Sequence, residues 1–365
     1  MTDVFIIGGG PAGLAAGIAA RKKGFEVIVA DGGQPPLDKA CGEGMMPGTL
    51  SALHDLGVRV PLRSGSAFCG IRFINGGSNV QASFPTGIGI GMRRPLLHQM
   101  MVKVAAESGV KFLWNTPVSG ILPEGVVVGK KIAPARWIIG ADGSQSLVRR
   151  WCGLDSLRHY SQRFARRRHY SVRPCSEFME IYWGREMQAY VTPVASDEVC
   201  VVLISHRRHI FWEDAWAEFP NLAERLREAP MTSVERGSVT AMHSLRRVYR
   251  RNVALLGDAS GGVDAITGEG LRLGFRQALA LADAMEANDL SLYQIAHRQL
   301  ARRPAQMGIL MVFLGKYATL RRRAVCSLSC HPEIFERLLA IHVGEASTAH
   351  IATTAALLGW HLLAV

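Results

Sequence analysis

The feature that most constrains this chain lies at its start, where an apolar strand runs into a glycine-rich turn and a helix of small residues. Residues 4–7 are all apolar, and the glycines that follow fit the pattern G-x-G-x-x-G. In such a turn the first glycine permits the sharp bend, the second lets a pyrophosphate approach the backbone, and the third lets the helix pack against the strand. The helix start also offers free N–H groups to phosphates. The predicted dinucleotide-binding residues of this turn are Gly8, Gly10, Pro11, Ala12 and Gly13.

A second apolar strand is predicted over residues 26–30, and it ends at Asp31. An acid about 20 residues after the glycines commonly holds a ribose hydroxyl. Strand, helix and strand together form a βαβ unit, which indicates an α/β fold with a Rossmann-type parallel sheet. A glycine-rich turn without a ligand would not need this whole unit. The turn alone leaves open whether the cofactor is NAD or FAD.

Composition limits the classes of partner. The 365 residues are 48% hydrophobic and 20% charged, which is typical of a globular protein. Lys and Arg number 42 against 30 Asp and Glu, so the formal net charge is +12. The arginines form short clusters along the whole chain, whereas nucleic-acid readers gather them on one element with aromatic residues. We therefore expect no nucleic-acid partner, and we expect the positive charge to attract anionic cofactors.

The cysteines and the apolar runs bear on localisation. The seven cysteines are irregularly spaced and include no C-x-x-C pair, which favours reduced thiols and no metal site. Residues 1–3 lead directly into the first strand, which leaves no room for a signal peptide. No apolar run is long enough to span a bilayer. We expect a cytoplasmic protein without stable membrane insertion, and the sequence leaves its oligomeric state open.

Four later motifs follow the N-terminal turn in a fixed order. Arg93 precedes a predicted helix, Asp142-Gly143 and Gly257-Asp258 each follow a buried strand, and residues 267–270 (Thr-Gly-Glu-Gly) open a helix of small residues. Together with the turn, they resemble the FAD-dependent para-hydroxybenzoate hydroxylase fold. That family includes aromatic hydroxylases, flavin-dependent halogenases and geranylgeranyl reductases. The resemblance covers most of residues 1–290.

The resemblance implies roles for these motifs. Asp258 would accept hydrogen bonds from the ribityl hydroxyls, and the helix start at Gly268 would face the flavin pyrimidine edge, where its dipole stabilises reduced flavin. Arg93 would reach the cofactor phosphates or ribityl chain, and Asp142 would bear on both FAD and NAD(P)H. The implied cofactor-binding residues outside the turn are Asp31, Lys39, Cys41, Gly42, Arg93, Asp142, Gly257, Asp258, Gly268, Glu269, Gly270 and Leu271.

The resemblance also implies the domain organisation. We expect a discontinuous FAD-binding domain, an inserted mixed β-sheet domain that binds substrate, and a C-terminal helical region in which residues 346–365 form an apolar helix. The chain has one glycine fingerprint, so NAD(P)H would visit transiently, or a separate flavin reductase would donate electrons. The expected ranges are 1–67, 91–155 and 246–290 for the FAD-binding domain, 68–90 and 156–245 for the sheet domain, and 291–365 for the helical region.

Branch-specific motifs point in different directions. Residues 35–42 resemble the P-x-x-K-x-C-G stretch of geranylgeranyl-reductase-like flavoproteins, but Tyr190 stands where prenyl reductases carry a tryptophan. Trp212 and Trp216 lie four residues apart, which suits packing on one helix face rather than the W-x-W-x-I-P segment of halogenases. At residues 264–265 the chain has Asp-Ala, where hydroxylases commonly have Asp-Pro.

The sequence favours an FAD-dependent monooxygenase that hydroxylates an aromatic, phenolic or polyketide-like substrate through a flavin C4a-hydroperoxide, with NAD(P)H and O₂. An ene or prenyl (geranylgeranyl-type) reductase, a halogenase and a non-catalytic flavoprotein remain alternatives. The substrate would be a small aromatic or lipophilic molecule. Cys41, Tyr190 and His243 are catalytic candidates, and Tyr190 and His243 are expected to line the pocket. Further candidate bases are His169, Tyr170, Tyr182 and His206.

Overall fold

A computed structural model describes residues 2–344, apart from the side chains of residues 157, 159 and 160. The helix expected over residues 346–365 lies outside the described residues. The strands are β1 (Thr2–Ile7), β2 (Val27–Ala30), β3 (Gly44–Met45), β4 (Ser66–Phe68), β5 (Gly70–Asn75), β6 (Ser78–Ser83), β7 (Gly89–Gly91), β8 (Lys111–Leu113), β9 (Val118–Leu122), β10 (Gly125–Val128), β11 (Lys131–Ala133), β12 (Ala135–Gly140), β13 (Leu157–Ser171), β14 (Phe178–Trp183), β15 (Met187–Ala195), β16 (Glu198–Ser205), β17 (Arg236–Leu245), β18 (Tyr249–Arg250), β19 (Val253–Leu255) and β20 (Gly261–Gly262).

The helices occur between these strands and after them. Short 3₁₀ turns cover Leu62–Ser64, Gly257–Ala259 and Ala265–Thr267. The α-helices are α1 (Pro11–Lys22), α2 (Pro47–Asp55), α3 (Arg94–Glu107), α4 (Leu147–Trp151), α5 (Trp212–Glu218), α6 (Pro220–Leu226), α7 (Gly270–Glu286), α8 (Leu290–Lys316), α9 (Ala318–Cys330) and α10 (Pro332–Val343).

A six-stranded sheet in the order β18-β19-β12-β1-β2-β8 forms the first layer. All its neighbouring strands are parallel except the pair β18 and β19. Both faces of this sheet are covered, which is why residues 4–7 of the central strand β1 are apolar and buried. One face packs on α1, α3 and α7, and the other packs on the three-stranded meander β11-β10-β9. This arrangement confirms the predicted α/β class and Rossmann-type sheet.

An eight-stranded mixed sheet in the order β20-β17-β13-β16-β15-β14-β5-β6 forms the second layer. Its neighbours are antiparallel except for the parallel pair β14 and β5. One face packs against α5 and α6, and the other packs against α9 and α10. With helices on both faces, β15 is buried along almost its whole length. Its strands come from residues 70–83, 157–245 and 261–262.

Helices α5 and α6 are separate, because Pro220 has no N–H to donate to the preceding turn. Strand β20 joins the mixed sheet although it lies within the range expected for the FAD-binding domain. Trp212 and Trp216 pack on each other with ring centroids 5.3 Å apart, as their spacing predicts. Of the helices in residues 2–344, none is long and apolar enough to cross a membrane.

Candidate functional site

A cavity of about 730 Å³ lies between the six-stranded sheet and the mixed sheet, at the carboxyl ends of β1, β2, β12 and β19. We call it the cofactor cavity. Ligands of open α/β sheets bind at this edge of the strands. The predicted residues that line it are Gly8, Gly10, Pro11, Ala12, Asp31, Lys39, Cys41, Gly42, Asp142, Tyr190, His243, Gly257, Asp258, Gly268, Gly270 and Leu271. Motifs from the whole length of the sequence thus meet in one place.

The glycine turn has the geometry that its sequence predicts. Gly8 has a φ of +112°, and a Cβ there would lie 2.4 Å from the carbonyl oxygen of Ala141. A Cβ on Gly13 would lie 1.9 Å from the carbonyl oxygen of Gly8, so Gly13 lets α1 approach β1 without itself lining the cavity. A Cβ on Gly10 would meet no described atom within 4 Å. The backbone at Gly10 is therefore open to a large anionic group.

Two side chains hold this turn in place. Both oxygens of Asp31 accept backbone N–H groups, from Gly9 and Gly33 at 2.7 Å each. His98, which sequence reasoning missed, is buried and its Nε2 donates to the carbonyl oxygen of Gly9 at 2.8 Å. Burial lowers the pKa of His98, so the imidazole is neutral and its Nδ1 accepts from the N–H of Leu37. Asp31 also lines the cavity, and both of its carboxylate oxygens already accept backbone N–H groups.

The Asp142-Gly143 motif forms a capped loop. The Asp142 carboxylate accepts from the Ser146 hydroxyl at 2.5 Å and from the N–H of Leu147 at 2.7 Å, at the start of α4. Arg149 is buried and donates to the carbonyl oxygens of Ser144 at 3.0 Å and Ala259 at 3.1 Å. Arg149 therefore ties this loop to the Gly257-Asp258 loop on the neighbouring strand.

Asp258 keeps an accessible carboxylate in the cofactor cavity. Its side chain is about half exposed, and its ion-pair partner is Lys39, at 3.3 Å between Nζ and Oδ2. Behind it, Ser260 donates to the carbonyl oxygen of Gly257 at 2.8 Å and lies 2.9 Å from Nε2 of the buried His297. Hydrogen bonds thus hold the loop from behind, while the half-exposed Asp258 carboxylate can accept hydroxyl groups in addition to its pair with Lys39.

Two predicted residues have positions that differ from the expectation. The Arg93 guanidinium pairs with Glu198, at 2.6 Å between Nη2 and Oε1, and does not line the cofactor cavity. Its neighbour Arg94 lines the cavity instead. Glu269 is buried and ion-paired with Arg272, so only the flanking Gly268 and Gly270 reach the cavity. In both cases an ion pair within the chain holds the side chain that was expected to bind the cofactor.

The loop that carries Cys41 is held by a buried charge network. Glu43 has a left-handed φ of +58° and is 3% exposed. Its carboxylate accepts from Arg167 at 3.0 Å, from His169 Nε2 at 2.7 Å and from the N–H of Arg94 at 2.9 Å. A non-glycine residue keeps such a conformation only where its surroundings fix it. Glu43 therefore fixes the loop against the cavity, and its position two residues after Cys41 is the one feature of the sequence that could have indicated this role.

Glu43 and His169 also lie near Cys200, with one donor atom of each residue within 4.8 Å of the others. Burial raises the pKa of the Cys200 thiol well above its usual range, so the sulfur is protonated. The Glu43 carboxylate is already occupied by Arg167 and His169. These three residues therefore form a charge-compensated core cluster and lack the free anionic ligands that a divalent cation requires.

A second buried network reaches the wall of the cofactor cavity through Tyr190 and Asp264. Arg163 forms an ion pair with Asp264, and its Nη1 donates to Gln188 at 2.7 Å. Tyr190 also donates to Gln188, at 2.8 Å. Burial raises the pKa of Tyr190 well above its usual range, so Tyr190 is a neutral hydrogen-bonding group and not a base. Asp264 was noted in the sequence only as part of an Asp-Ala pair, and its partner Arg163 was not anticipated.

The remaining candidate bases separate into distinct environments. Tyr190 and His243 line the cofactor cavity. Tyr170 and Tyr182 belong to the core on the opposite face of the mixed sheet, beneath α5 and α6. His206 is exposed and within hydrogen-bond distance of the Gln162 carbonyl oxygen, at 3.3 Å. Two of the six candidates therefore reach the place where a substrate would meet the cofactor.

A second cavity, of about 270 Å³, lies between the mixed sheet and helices α8, α9 and α10. We call it the apolar cavity. Its walls include Phe73 and Trp183 from the sheet and Met311, Val325 and Leu339 from the three helices. Ile71, Ile266 and Thr267 line both cavities, so the two are neighbours. The sequence analysis did not anticipate this cavity, because its residues are distant in the chain and match no motif.

The cofactor cavity fits FAD. The accessible backbone at Gly10 can hold a pyrophosphate, and the half-exposed Asp258 carboxylate can accept ribityl hydroxyls. The start of α7 at Gly270 can face the flavin ring. Bound FAD supplies two-electron chemistry, which side chains alone do not provide. The protein contributes the position of the ring and the polar groups around it.

Comparisons with known proteins agree with this geometry. The FAD binding domain family matches residues 1–288. Menaquinone reductase of Mycobacterium tuberculosis (strain ATCC 25618 / H37Rv) is 27% identical over 324 residues, which cover 79% of this chain and 78% of that protein. Digeranylgeranylglycerophospholipid reductase of Methanocella arvoryzae is 23% identical over 336 residues, covering 84% of this chain and 82% of that protein.

A solved structure also shares the fold. A flavin-dependent brominase superposes with a TM-score of 0.81 at 19% identity, and the match covers 98% of each chain. At this identity the likeness shows the fold alone. The match over residues 1–288 places most of the chain within one family. The chain belongs to the FAD binding domain family and is an FAD-dependent oxidoreductase.

Proposed function

We propose that the chain is an FAD-dependent reductase that saturates a carbon–carbon double bond in a lipid-like, isoprenoid-type substrate. The observation that carries the proposal is the apolar cavity beside the cofactor cavity, with Ile71, Ile266 and Thr267 as shared walls. A long apolar chain gains free energy from such a cavity, and the shared wall brings part of that chain towards the flavin.

The curated relatives support this choice of substrate class. Their names denote reductases, and the names contain two lipids, menaquinone and a digeranylgeranyl glycerophospholipid. Residues 39–42 also resemble the K-x-C-G stretch of geranylgeranyl-reductase-like flavoproteins. These observations shift the balance from the hydroxylation that the sequence motifs favoured towards reduction.

The chain's own residues would orient the substrate and control its protons. Tyr190 lines the cavity, and its hydrogen bond to the buried Gln188 holds its hydroxyl in place, so the Tyr190 oxygen can accept a hydrogen bond from a polar part of the substrate. Cys41 lies in the loop fixed by Glu43, with its Sγ 3.8 Å from Nη1 of Arg94. Saturation of a double bond adds two electrons and two protons, and the side chain of Cys41 lies on the cavity wall, where it can contact the substrate.

A single-turnover experiment without oxygen tests the proposal. FAD-loaded protein is reduced with dithionite and mixed with geranylgeranyl phosphate or menaquinone under argon. We expect flavin reoxidation together with a product whose isoprenoid chain has gained two hydrogen atoms, which tandem mass spectrometry of the chain fragments distinguishes from reduction of the quinone ring. Flavin that stays reduced with both substrates, and no hydrogenated product, would contradict the proposal.

Hydroxylation of a lipophilic aromatic substrate is the second candidate. The observation that favours it is the Arg163–Asp264–Gln188–Tyr190 network, because Asp264 and Tyr190 of this network line the cavity and can hold a phenol hydroxyl there. With NADPH, ¹⁸O₂ and a long-chain alkylphenol, a monooxygenase would give a product that contains one labelled oxygen atom. In the reductase the same mixture would give no labelled product.

The electron donor is part of both candidates. We propose NAD(P)H as a transient visitor, because the chain has a single glycine fingerprint. Flavin reduction by NADH and by NADPH, followed at the flavin absorbance band, tests this step. If neither cofactor reduces the flavin while dithionite does, a separate flavin reductase is the donor.

A further inference from the structure

One buried cation stands in the wall of the apolar cavity. Arg321 lies on α9 and is 4% exposed. Among the described residues that line this cavity, the side chains of Thr267, Arg321, His342 and Trp183 carry N–H or O–H groups, and the others are apolar. The described lining contains no Asp or Glu. A charged group in such surroundings is costly unless a partner compensates it.

Within residues 2–344, Arg321 contacts two carbonyl groups and one aromatic ring but forms no ion pair. Its Nη1 donates to the carbonyl oxygens of Leu314 at 3.4 Å and Gly315 at 3.0 Å, in the last turn of α8. The guanidinium carbon lies 5.6 Å from the centre of the Trp183 ring. In residues 2–344 no carboxylate lies within ion-pair distance of Arg321, and its buried Nε has no hydrogen-bond partner. Burial also lowers the pKa of Arg321, and the Glu218 carboxylate, which lies beyond ion-pair distance, opposes this shift without cancelling it.

We propose that Arg321 binds the anionic group, a phosphate or carboxylate, of an amphipathic lipid whose chain fills the apolar cavity and points towards Ile266 and the flavin. The proposal rests on the proposed function and adds the polar end of its substrate. A guanidinium suits this task because it donates several N–H groups in a planar array that matches carboxylate and phosphate oxygens. The cavity would then select lipids by an acidic head as well as by an apolar chain.

The competing explanation is purely structural. Arg321 would then serve only to cap the carbonyl groups at the end of α8, where a cation is favourable. In that case its loss would change stability, and it would leave the preference among ligands unaltered. Ligand preference, measured with one apolar chain and different heads, therefore separates the two explanations.

The experiment uses three probes with the same chain: farnesyl phosphate, farnesoic acid and farnesol. Binding to the oxidised, FAD-loaded protein is measured by titration calorimetry, so no turnover is needed. The variants are Arg321→Met, Arg321→Lys, which keeps the positive charge, and Arg322→Met as a matched control, because Arg322 is the next residue on α9 and is exposed. Ala324→Trp fills the apolar cavity from the same helix.

We expect the unmodified protein to bind the phosphate or the carboxylate at least about tenfold more tightly than the alcohol, which is typical of a charge-assisted hydrogen bond. Arg321→Met should remove that preference, Arg321→Lys should keep part of it, and Arg322→Met should keep all of it. The better of the two anionic probes identifies the head group. Ala324→Trp should weaken all three probes.

Two results would overturn the inference in distinguishable ways. Equal affinity of the unmodified protein for the alcohol and both anionic probes, or an undiminished preference in Arg321→Met, would refute the role of Arg321 and leave the proposed function standing. Failure of all three probes to bind, or undiminished binding to Ala324→Trp, would refute the apolar cavity as a lipid site and remove the main support of the proposed function. If Arg321→Met does not fold, the preference of the unmodified protein and of Arg321→Lys still decides.

Discussion

The cofactor cavity and the apolar cavity are neighbours, but different parts of the protein line them. The cofactor cavity is formed largely by loops at the ends of parallel strands, in which backbone groups and a few charged side chains face the interior. The apolar cavity is formed by side chains from one sheet face and from three helices near the end of the chain. A cavity made of backbone needs glycines at fixed places, whereas a cavity made of side chains needs only apolar residues of suitable volume.

Helix α8 connects the two. Near its start, Tyr293 donates to the carbonyl oxygen of Leu255 at 2.7 Å, and His297 lies beside Ser260, behind the Asp258 loop. Farther along, Met311 and Leu314 line the apolar cavity. Because α8 contacts both cavities, a substitution at one cavity can affect the other through this helix. Substitutions at each cavity, ordered from the largest expected effect to the smallest, test how independent the two cavities are.

The largest effect is expected at the wall between the cavities. Asp264→Ala leaves the buried Arg163 without its ion-pair partner and removes the acceptor of the Ile266 N–H. An uncompensated buried charge costs about 3–5 kcal/mol, so the free energy of unfolding should fall by that amount in urea titrations. The control is Asp55→Ala, which breaks a partly exposed pair with Arg276 and should cost about 1 kcal/mol or less. Equal losses for the two variants would show that the buried Arg163–Asp264 pair contributes no more to the free energy of unfolding than the partly exposed Asp55–Arg276 pair.

A pH dependence is expected from the support behind the cofactor cavity. Burial lowers the pKa of His297 to about 4. Between about pH 6.5 and pH 4 the unfolded chain binds a proton at this site and the folded chain does not, so stability falls as the pH falls. The loss should approach about 3 kcal/mol near pH 4. Urea midpoints across this range should show a smaller slope for His297→Gln, and an unchanged slope would assign the dependence to other groups.

The glycine turn should tolerate no side chain at Gly13. A Cβ there would meet backbone atoms of Gly8, which cannot move aside as a flexible side chain can. Gly13→Ala should cost about 1–3 kcal/mol of stability and lower the flavin content after gel filtration. Gly77→Ala is the control, because its Cβ would meet no described atom within 4 Å. Full flavin content in Gly13→Ala would contradict the assigned packing of α1 on β1.

Asp258→Ala tests the polar side of the cofactor cavity. The loss of a charged acceptor for hydroxyl groups should weaken FAD binding by about 1.5–3 kcal/mol, so that flavin is lost on dialysis. Lys39→Met removes the ion-pair partner of Asp258 and keeps its carboxylate, so it should retain more flavin. Asp258→Ala with its full flavin content would contradict the ribityl contact.

The smallest effect is expected for Cys41→Ser. This change nearly keeps the size of the side chain, the Glu43 carboxylate fixes the loop, and a serine oxygen can still accept from the Glu43 N–H that the sulfur accepts from at 3.4 Å. FAD binding and stability should therefore stay within about 1 kcal/mol of the unmodified protein. A normal flavin spectrum together with a lower rate of substrate-dependent flavin reoxidation would assign a chemical role to the thiol, and an unchanged rate would leave Cys41 a packing residue.

Much of the cofactor cavity could be predicted from the sequence because each of its motifs is local. A strand followed by glycine at the required spacing specifies the turn at residues 8–13, and Gly257 and Gly268 likewise have positive φ values in short loops. The predictions that differ concern long side chains. Arg93 and Glu269 sit in motifs, but a guanidinium or carboxylate pairs with whatever opposite charge the tertiary fold brings near. Spacing along the chain does not reveal that partner.

The sequence by itself determined the α/β class, the glycine turn and four of the five motifs that meet at one sheet edge, because backbone conformation and hydrophobic periodicity are local properties. The tertiary structure alone decided which charges compensate each other, as at Arg163 with Asp264, and which remain without an acid, as at Arg321. It also decided the apolar cavity, because a void depends on how side chains from distant elements fail to fill the space between them.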